Sequence, residues 1–248
     1  MWSSSPSQHL QTKSAIALAL TLAAGFVDIV GYISLHNVFT AHMTGETVHL
    51  AQNLLQRDWF EAAAAGCVIG AFLLGSIVGR TIIEIGWRTG TRTIASASLL
   101  LELILIALVV PFAEMHPEGG STLALLALLA AAMGVQTATL TRIGSLTVHT
   151  TFVTGMLNKL AQLLSQAVFL NYDIHHGHDM RAERRKVGRE ARFIFSVWFC
   201  YLAGAALGTL MNSLWGPRAL LIPVCIVTSA AFVDQARPLS IEEEQDQP

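Results

Sequence analysis

The sequence predicts an all-α membrane protein: six transmembrane helices plus two polar, broken or re-entrant segments, arranged as two inverted repeats. Three observations carry this reading. Hydrophobic residues make up 53% of the chain and charged residues 13%, with mean hydropathy +0.53; a soluble domain carries about a quarter charged residues. Several runs exceed the ~18 apolar residues that mark a spanning helix, and the short alternating segments of a β-barrel are missing. Finally, the polar stretch 38–54 has an echo at 148–164 that aligns without gaps, matching Thr40 with Thr150, Thr44-Gly45 with Thr154-Gly155, and Leu50-Ala51-Gln52 with Leu160-Ala161-Gln162. A net charge of −2 gives no reason to expect nucleic acid.

The first span is 14–35. Its 22 residues suffice to cross ~30 Å of hydrocarbon at ~1.5 Å per residue. A cleaved signal peptide would have a shorter core and a more basic start, so this helix is expected to be retained. The polar stretch 38–54 follows. The next spans are 60–85, 93–112 and 122–141, separated by the turn-rich stretches 86–90 and 117–120. After the second polar stretch comes the mixed-charge segment 171–192, read as a solvated loop with a helical turn or two. The last spans are 193–214 and 217–233, so closely joined that an antiparallel hairpin is expected. Trp59, Trp87 and Trp215 fall at span ends, where aromatic rings favour the interface. The domain organisation is therefore one integral membrane domain over 1–248, with repeat halves 14–112 and 122–233, a cytoplasmic basic loop 171–192, and an acidic tail 234–248 expected to be disordered.

Orientation follows from the cations. Arg80, Arg88 and Arg92 surround one loop; Arg181, Arg184, Arg185, Lys186, Arg189 and Arg192 fill another; 114–120 has none. Positive charge stays cytoplasmic. If both polar stretches crossed the membrane, Arg88 and Arg92 would face outside. If each dips in and returns to its own side, all three loops obey the rule, both termini are cytoplasmic, and the halves are inverted copies. The copying extends to Gly75 and Gly79, which match Gly204 and Gly208, and to Gly25, which matches Gly134 with a one-residue slip.

The block running from Gly25 through Asp28, Gly31 and Tyr32 into Phe39-Thr40-Ala41-His42-Met43-Thr44-Gly45-Glu46-Thr47 resembles the YoaK family of bacterial membrane proteins. That family shows a Gly-aromatic-x-Asp-x-x-Gly-aromatic block followed by Asn-Met-Thr-Gly-Asn. The resemblance covers nearly the whole chain and implies about six helices. It implies no activity. His42 and Glu46 stand where the family often has Asn.

Several residues could carry chemistry. Asp28 lies mid-helix and costs at least ~2.5 kcal/mol unless it meets a partner, water or a proton. It shares a face with Gly25 and Tyr32, and is read either as a proton or cation site or as a packing clamp held by hydroxyls and backbone. Glu102 poses the same question without a motif around it. Gly45 and Gly155 would allow a bend or a close backbone approach. Thr44 and Thr154 could satisfy backbone groups freed by a broken helix, and with Thr40 and Thr150 they could line a midplane site at which half-helices aim their N-termini. His42, Glu46 and His49 fall at i, i+4, i+7 and could hold a divalent metal or simply line a wet cavity. The tract His175-His176-Gly177-His178-Asp179 raises the same pair of readings, and neither cluster has tight zinc spacing. Lys159 could pair with Asp28 or Glu46 if the polar stretches meet. Arg142 reads as an interfacial anchor. Cys67, Cys200 and Cys225 have no paired spacing. Gly66-xxx-Gly70, Gly75-xxx-Gly79 and Gly204-xxx-Gly208 are close-packing signatures, within the chain or in a homodimer.

No nucleophile–base or metalloprotease motif is present, so no enzyme and no cofactor is expected. The expected function is a transporter or channel for a small solute in the bacterial inner membrane, with the lipid bilayer as its partner. A membrane-embedded enzyme or a structural or regulatory membrane protein is the alternative.

Overall fold

A computed structural model describes residues 6–91, 93–115, 119–139, 142–143, 146–147 and 150–236. Its elements are α1 (Pro6–Ser34), α2 (Met43–Gln56), α3 (Trp59–Arg88), α4 (Ile94–Ala113), α5 (Gly120–Thr139), α6 (Val153–His175), α7 (Arg181–Trp215) and α8 (Leu221–Ala236). A two-residue antiparallel ladder, Arg142–Ile143 with Leu146–Thr147, follows α5, and a 3-10 turn, Gly216–Leu220, joins α7 to α8. The protein is an all-α membrane protein. Five helical runs are long and apolar enough to cross a membrane, and the last of them, Arg181–Ala236, holds two of the six spans expected from sequence. Large apolar side chains such as Leu73, Leu74, Phe199 and Phe232 are more than half exposed, as lipid-facing positions are.

Turn chemistry sets the ends of these helices. Arg57 closes α2 in the left-handed region (φ 62°), and the next residue, Asp58, opens α3 by accepting the Glu61 amide at 3.3 Å. Gly90, Gly119 and Gly216 supply positive φ at three reversals. At one end of the bundle His36 meets Glu61 (2.6 Å), Ser34 meets Asn212 (2.9 Å) and Arg218 pairs with Glu114. At the other end Asp234 of α8 reaches the start of α4, taking the Ser96 amide (2.8 Å) and hydroxyl (2.6 Å).

The core is made by two tight helix pairs. α3 packs most extensively on α5, and α1 on α7. Each pair runs parallel and depends on glycines. A Cβ added at Gly75 would strike the Ala131 carbonyl, and one at Gly204 would strike the Leu22 carbonyl. A Cβ added at Gly79 would lie 3.0 and 3.1 Å from Val135 O and Cα, and one at Gly208 3.0 and 3.2 Å from Phe26 O and Cα. In return Gly134 meets Phe72 O and the Ser76 amide nitrogen, and Gly25 meets Tyr201 O and the Ala205 amide nitrogen. These contacts correspond one to one between the pairs. The equivalent helices α1 and α5 run in opposite directions: Gly31 lies beside Leu129, while the Leu20 carbonyl is bonded by Gln136.

Four expectations are corrected. α7 and α8 do not form a packed hairpin; α8 lies on α4 and α1, leaving α1 between them. Gly66 and Gly70 are not packing sites within the chain, since a Cβ at 70 meets nothing within 4 Å and one at 66 only a Leu50 methyl at 3.8 Å. The segment 171–192 is helical on both sides of a short turn, because 181–192 is rich in Arg, Glu, Lys and Ala, good helix formers that continue into α7. The tail begins later than 234: α8 continues to Ala236 with Asp234 fully buried, while 237–248 lie outside the described residues.

Candidate functional site

After α1 the chain reverses through His36 and Asn37, both in the left-handed region (φ 59° and 55°), with the Asn37 amide donating to Tyr32 O at 3.0 Å. It then runs back beside α1. Asp28 stops it there. One carboxylate oxygen, Oδ1, accepts the Thr40 amide (2.7 Å), the Thr40 hydroxyl (3.2 Å) and the Ala41 amide (2.8 Å). The other, Oδ2, accepts the Tyr201 hydroxyl at 2.6 Å and lies 3.6 Å from His42 Nδ1. Asp28 lies six residues before the end of α1, ~9 Å below it at ~1.5 Å per residue. So α2 starts well inside the bundle and leads back toward the end at which α1 finished.

The second half makes the same tie with neutral groups. Thr137, placed 109 residues after Asp28 just as Gly134 is after Gly25, bonds Thr151 hydroxyl to hydroxyl at 2.5 Å. Its neighbour Gln136 donates to Leu20 O and to Thr150 Oγ1, each at 2.9 Å. Beyond that tie α6 begins.

The starts of α2 and α6 meet on one cavity of about 270 Å³, lined by residues 41–44, residues 151–154, Phe72 of α3 and Thr137 of α5. Neither helix start is capped by a side chain: the N-cap residues are His42 and Phe152. The first helical bonds are Glu46 N–H to His42 O (3.1 Å) and Met156 N–H to Phe152 O (3.2 Å). The amides of 43–45 and 153–155 therefore have no acceptor within their helices, and the positive ends of both helix dipoles lie at the cavity. The lining adds the hydroxyls of Thr44 and Thr154 and the His42 imidazole, with no carboxylate among its residues; Thr137 gives its own proton to the Met133 carbonyl (2.8 Å), so Thr151 donates to Thr137 and neither has a proton left for the cavity. Donors dominate it.

Eight of the twelve predicted residues fall into two groups. His42, Thr44 and Thr154 line the cavity. Asp28, Tyr32, Thr40, Glu46 and Thr150 brace the irregular segments behind it: Tyr32 stacks on Phe39 at 4.3 Å, and Glu46 Oε1 takes the Phe39 amide at 2.9 Å. Gly45 and Gly155 do not mark a bend. Both sit in the first turn of a regular helix, a Cβ at 45 would meet nothing, and Gly155 makes room only for the Phe152 ring. The breaks fall just before Met43 and Val153, where α2 and α6 begin. His49 is exposed and sits 3.7 Å from Glu46 Oε2. Among the described residues no ion pair joins Lys159 to Asp28 or Glu46; those acids face His42 and His49 instead.

Among the described residues no three His, Cys, Asp or Glu side chains gather closely enough to hold a metal. His176 and His178 donate to the Tyr172 and Asp173 carbonyls at the end of α6, a capping role. The side chain of Arg142 lies outside the described residues. Cys67, Cys200 and Cys225 are unpaired. Sequence reasoning missed Tyr201, Phe72, Gln136, Thr137 and Thr151. The available signal was the repeat itself: Tyr201 aligns with Phe72, and Thr137 falls where Asp28 does.

The family described as "Protein of unknown function (DUF1275)" matches residues 16–233. The UPF0700 transmembrane protein YoaK of Bacillus subtilis (strain 168) is 28% identical over 163 residues, covering 63% of this chain and 69% of that relative. No solved structure matches.

Proposed function

This chain belongs to the DUF1275 family, and from that premise we propose that it is a transporter or channel for a small solute, with its site at the cavity between α2 and α6. The carrying observation is that two uncapped helix starts, one from each half, meet on the same cavity. Broken helices that aim their N-termini at a midplane site are the device by which repeat-built transporters hold solutes. The antiparallel course of α1 and α5 and the paired glycine contacts support reading the halves as inverted copies. The basic ends of α3 and α7 support placing both termini in the cytoplasm of a bacterial inner-membrane protein.

The lining supports a choice of solute class. With uncapped amides, the Thr44 and Thr154 hydroxyls and an imidazole, and no carboxylate, the cavity favours a small anion or an anionic group. Its 270 Å³ lies just below the range of drug-sized pockets. We read the chain as a carrier rather than an enzyme.

The test is flux in liposomes reconstituted with purified protein, using radiolabelled formate, acetate, nitrate and phosphate beside a sugar and a monovalent cation. Anion flux above that of empty liposomes, reduced in both Thr44→Val and Thr154→Val, is expected. Flux that ignores both substitutions, or no flux of any probe, overturns the proposal.

A further inference from the structure

A second polar centre lies away from the cavity, between α4 and α5. Glu102 on α4 is fully buried, and neither of its carboxyl oxygens has a hydrogen-bond partner among the described residues. Gln136 on α5 is fully buried too, and its Oε1 is likewise without a partner. The amide cannot be turned to relieve this. Its nitrogen faces the Leu20 carbonyl at 2.9 Å, an acceptor that would repel the oxygen. The unpaired oxygen is therefore a chemical consequence of that bond.

The two side chains occupy neighbouring levels. Ser98 Oγ and Thr139 Oγ1 lie 2.6 Å apart and set the register between α4 and α5, which run antiparallel across a short connection. One turn along α4 from Ser98 is Glu102, and three residues back along α5 from Thr139 is Gln136. The layer thus holds two carboxyl oxygens, one amide oxygen and two hydroxyls, and Glu102 and Gln136 offer it acceptors but no donor.

Burying several acceptors without a donor is costly, and a small hard cation resolves it. We propose that Glu102 and Gln136, with Ser98 and Thr139, form an exchangeable site for a small hard cation, a sodium ion or a proton. A proton on Glu102 turns one acceptor into a donor for Gln136 Oε1. A sodium ion satisfies the same oxygens by coordination. The charged groups on the surrounding elements are placed elsewhere. Asp234 of α8 is bonded to Ser96, toward the start of α4, and Lys13 lies on α1 two turns before Leu20. Glu84 of α3 is held between Arg80 and Arg88, and Arg218 pairs with Glu114 beyond the far end of α4. α5 carries no ionisable side chain.

The site has a mechanical link to the cavity. The nitrogen of the same Gln136 amide holds Thr150, one residue before the cavity-lining segment of the second half. Filling the cation site fixes the oxygen end of that amide and so bears on the segment at its other end. Coupling between cation and solute rests on the transport reading; the cation site itself does not.

The experiment is labelling of the full-length wild-type protein in detergent with dicyclohexylcarbodiimide, which adds to protonated buried carboxyls, followed by peptide mass spectrometry. It is run from acid to alkaline pH with sodium chloride or choline chloride, and without solute. Adduct at Glu102 that falls several-fold when sodium replaces choline identifies a sodium site. Adduct at Glu102 that is indifferent to sodium and falls several-fold as pH rises identifies a proton site. Adduct that responds to neither overturns the proposal, as does no adduct at any pH, because a sealed carboxyl exchanges nothing. The readout needs no transported solute, so this result and the flux result fail independently.

Discussion

Replacing Asp28 by alanine removes the acceptor on which the first irregular segment is hung. Four donors lose their partner: the Thr40 amide and hydroxyl, the Ala41 amide and the Tyr201 hydroxyl. Each unsatisfied donor costs about 1–3 kcal/mol, so the total is roughly 4–12 kcal/mol. That is comparable with the whole stability of a typical domain, about 5–15 kcal/mol. Asparagine behaves differently. Its oxygen can still receive the two amides and the Thr40 hydroxyl, while its NH2 can donate to the Tyr201 oxygen. What is lost is charge assistance, roughly 1–3 kcal/mol in total. The expectation is a steep order in thermal unfolding midpoint, wild type above Asp28→Asn and Asp28→Asn well above Asp28→Ala, followed by tryptophan fluorescence in detergent. Tyr201→Phe should fall close to Asp28→Asn, since it removes one bond and leaves Oδ1 untouched. If alanine proves no worse than asparagine, the carboxylate is not the clamp described here.

Gly75→Ala and Gly204→Ala should each lower stability by at least about 1–3 kcal/mol through overpacking against a backbone carbonyl, whereas Gly70→Ala should be neutral or gain up to about 1 kcal/mol; unfolding midpoints of the three variants check this. Asp234→Ala strips the Ser96 amide of its acceptor, leaves the Ser96 hydroxyl only the Ala231 carbonyl at 3.2 Å, and should cost about 1–3 kcal/mol by the same measurement. Single cysteines at Gln56 and Gly177, in a protein with Cys67, Cys200 and Cys225 replaced by alanine, should label from opposite sides of the membrane with an impermeant maleimide. Labelling from the same side would mean that the polar segments cross it.

The membrane class and the ends of α3, α4 and α5 were legible in the sequence because apolar length and turn residues report them directly, whereas the start of α7 at Arg181 was not, since its first turns are charged. The echo of 38–54 at 148–164 was legible for the same kind of reason, as a polar pattern out of place. The route of the chain within it was not. Thr-Gly looks like a hinge, yet the breaks fall at His36–Asn37 and just before Met43 and Val153, because Asp28 and Thr137 hold the returning chain there. Those ties depend on partners remote in sequence, and hydropathy is blind to them. The same holds for α8, whose place beside α4 is set by the buried Asp234–Ser96 contact and not by its short link to α7. Glu102 stood out as a lone acid, but only the fold brings Gln136 to its level.

The pairing of α1 with α7 has a consequence for how the chain is made. Tyr201 is 173 residues beyond Asp28, and synthesis at ~5–20 residues per second separates them by on the order of ten seconds or more. During that interval the first helix must reside in lipid without its main neighbour. The carboxylate need not wait unpartnered, because the amides of Thr40 and Ala41 emerge only 12 and 13 residues after it. Helix and returning segment can therefore enter the bilayer as one self-satisfied unit, and Tyr201 closes a bond network that is already three-quarters built.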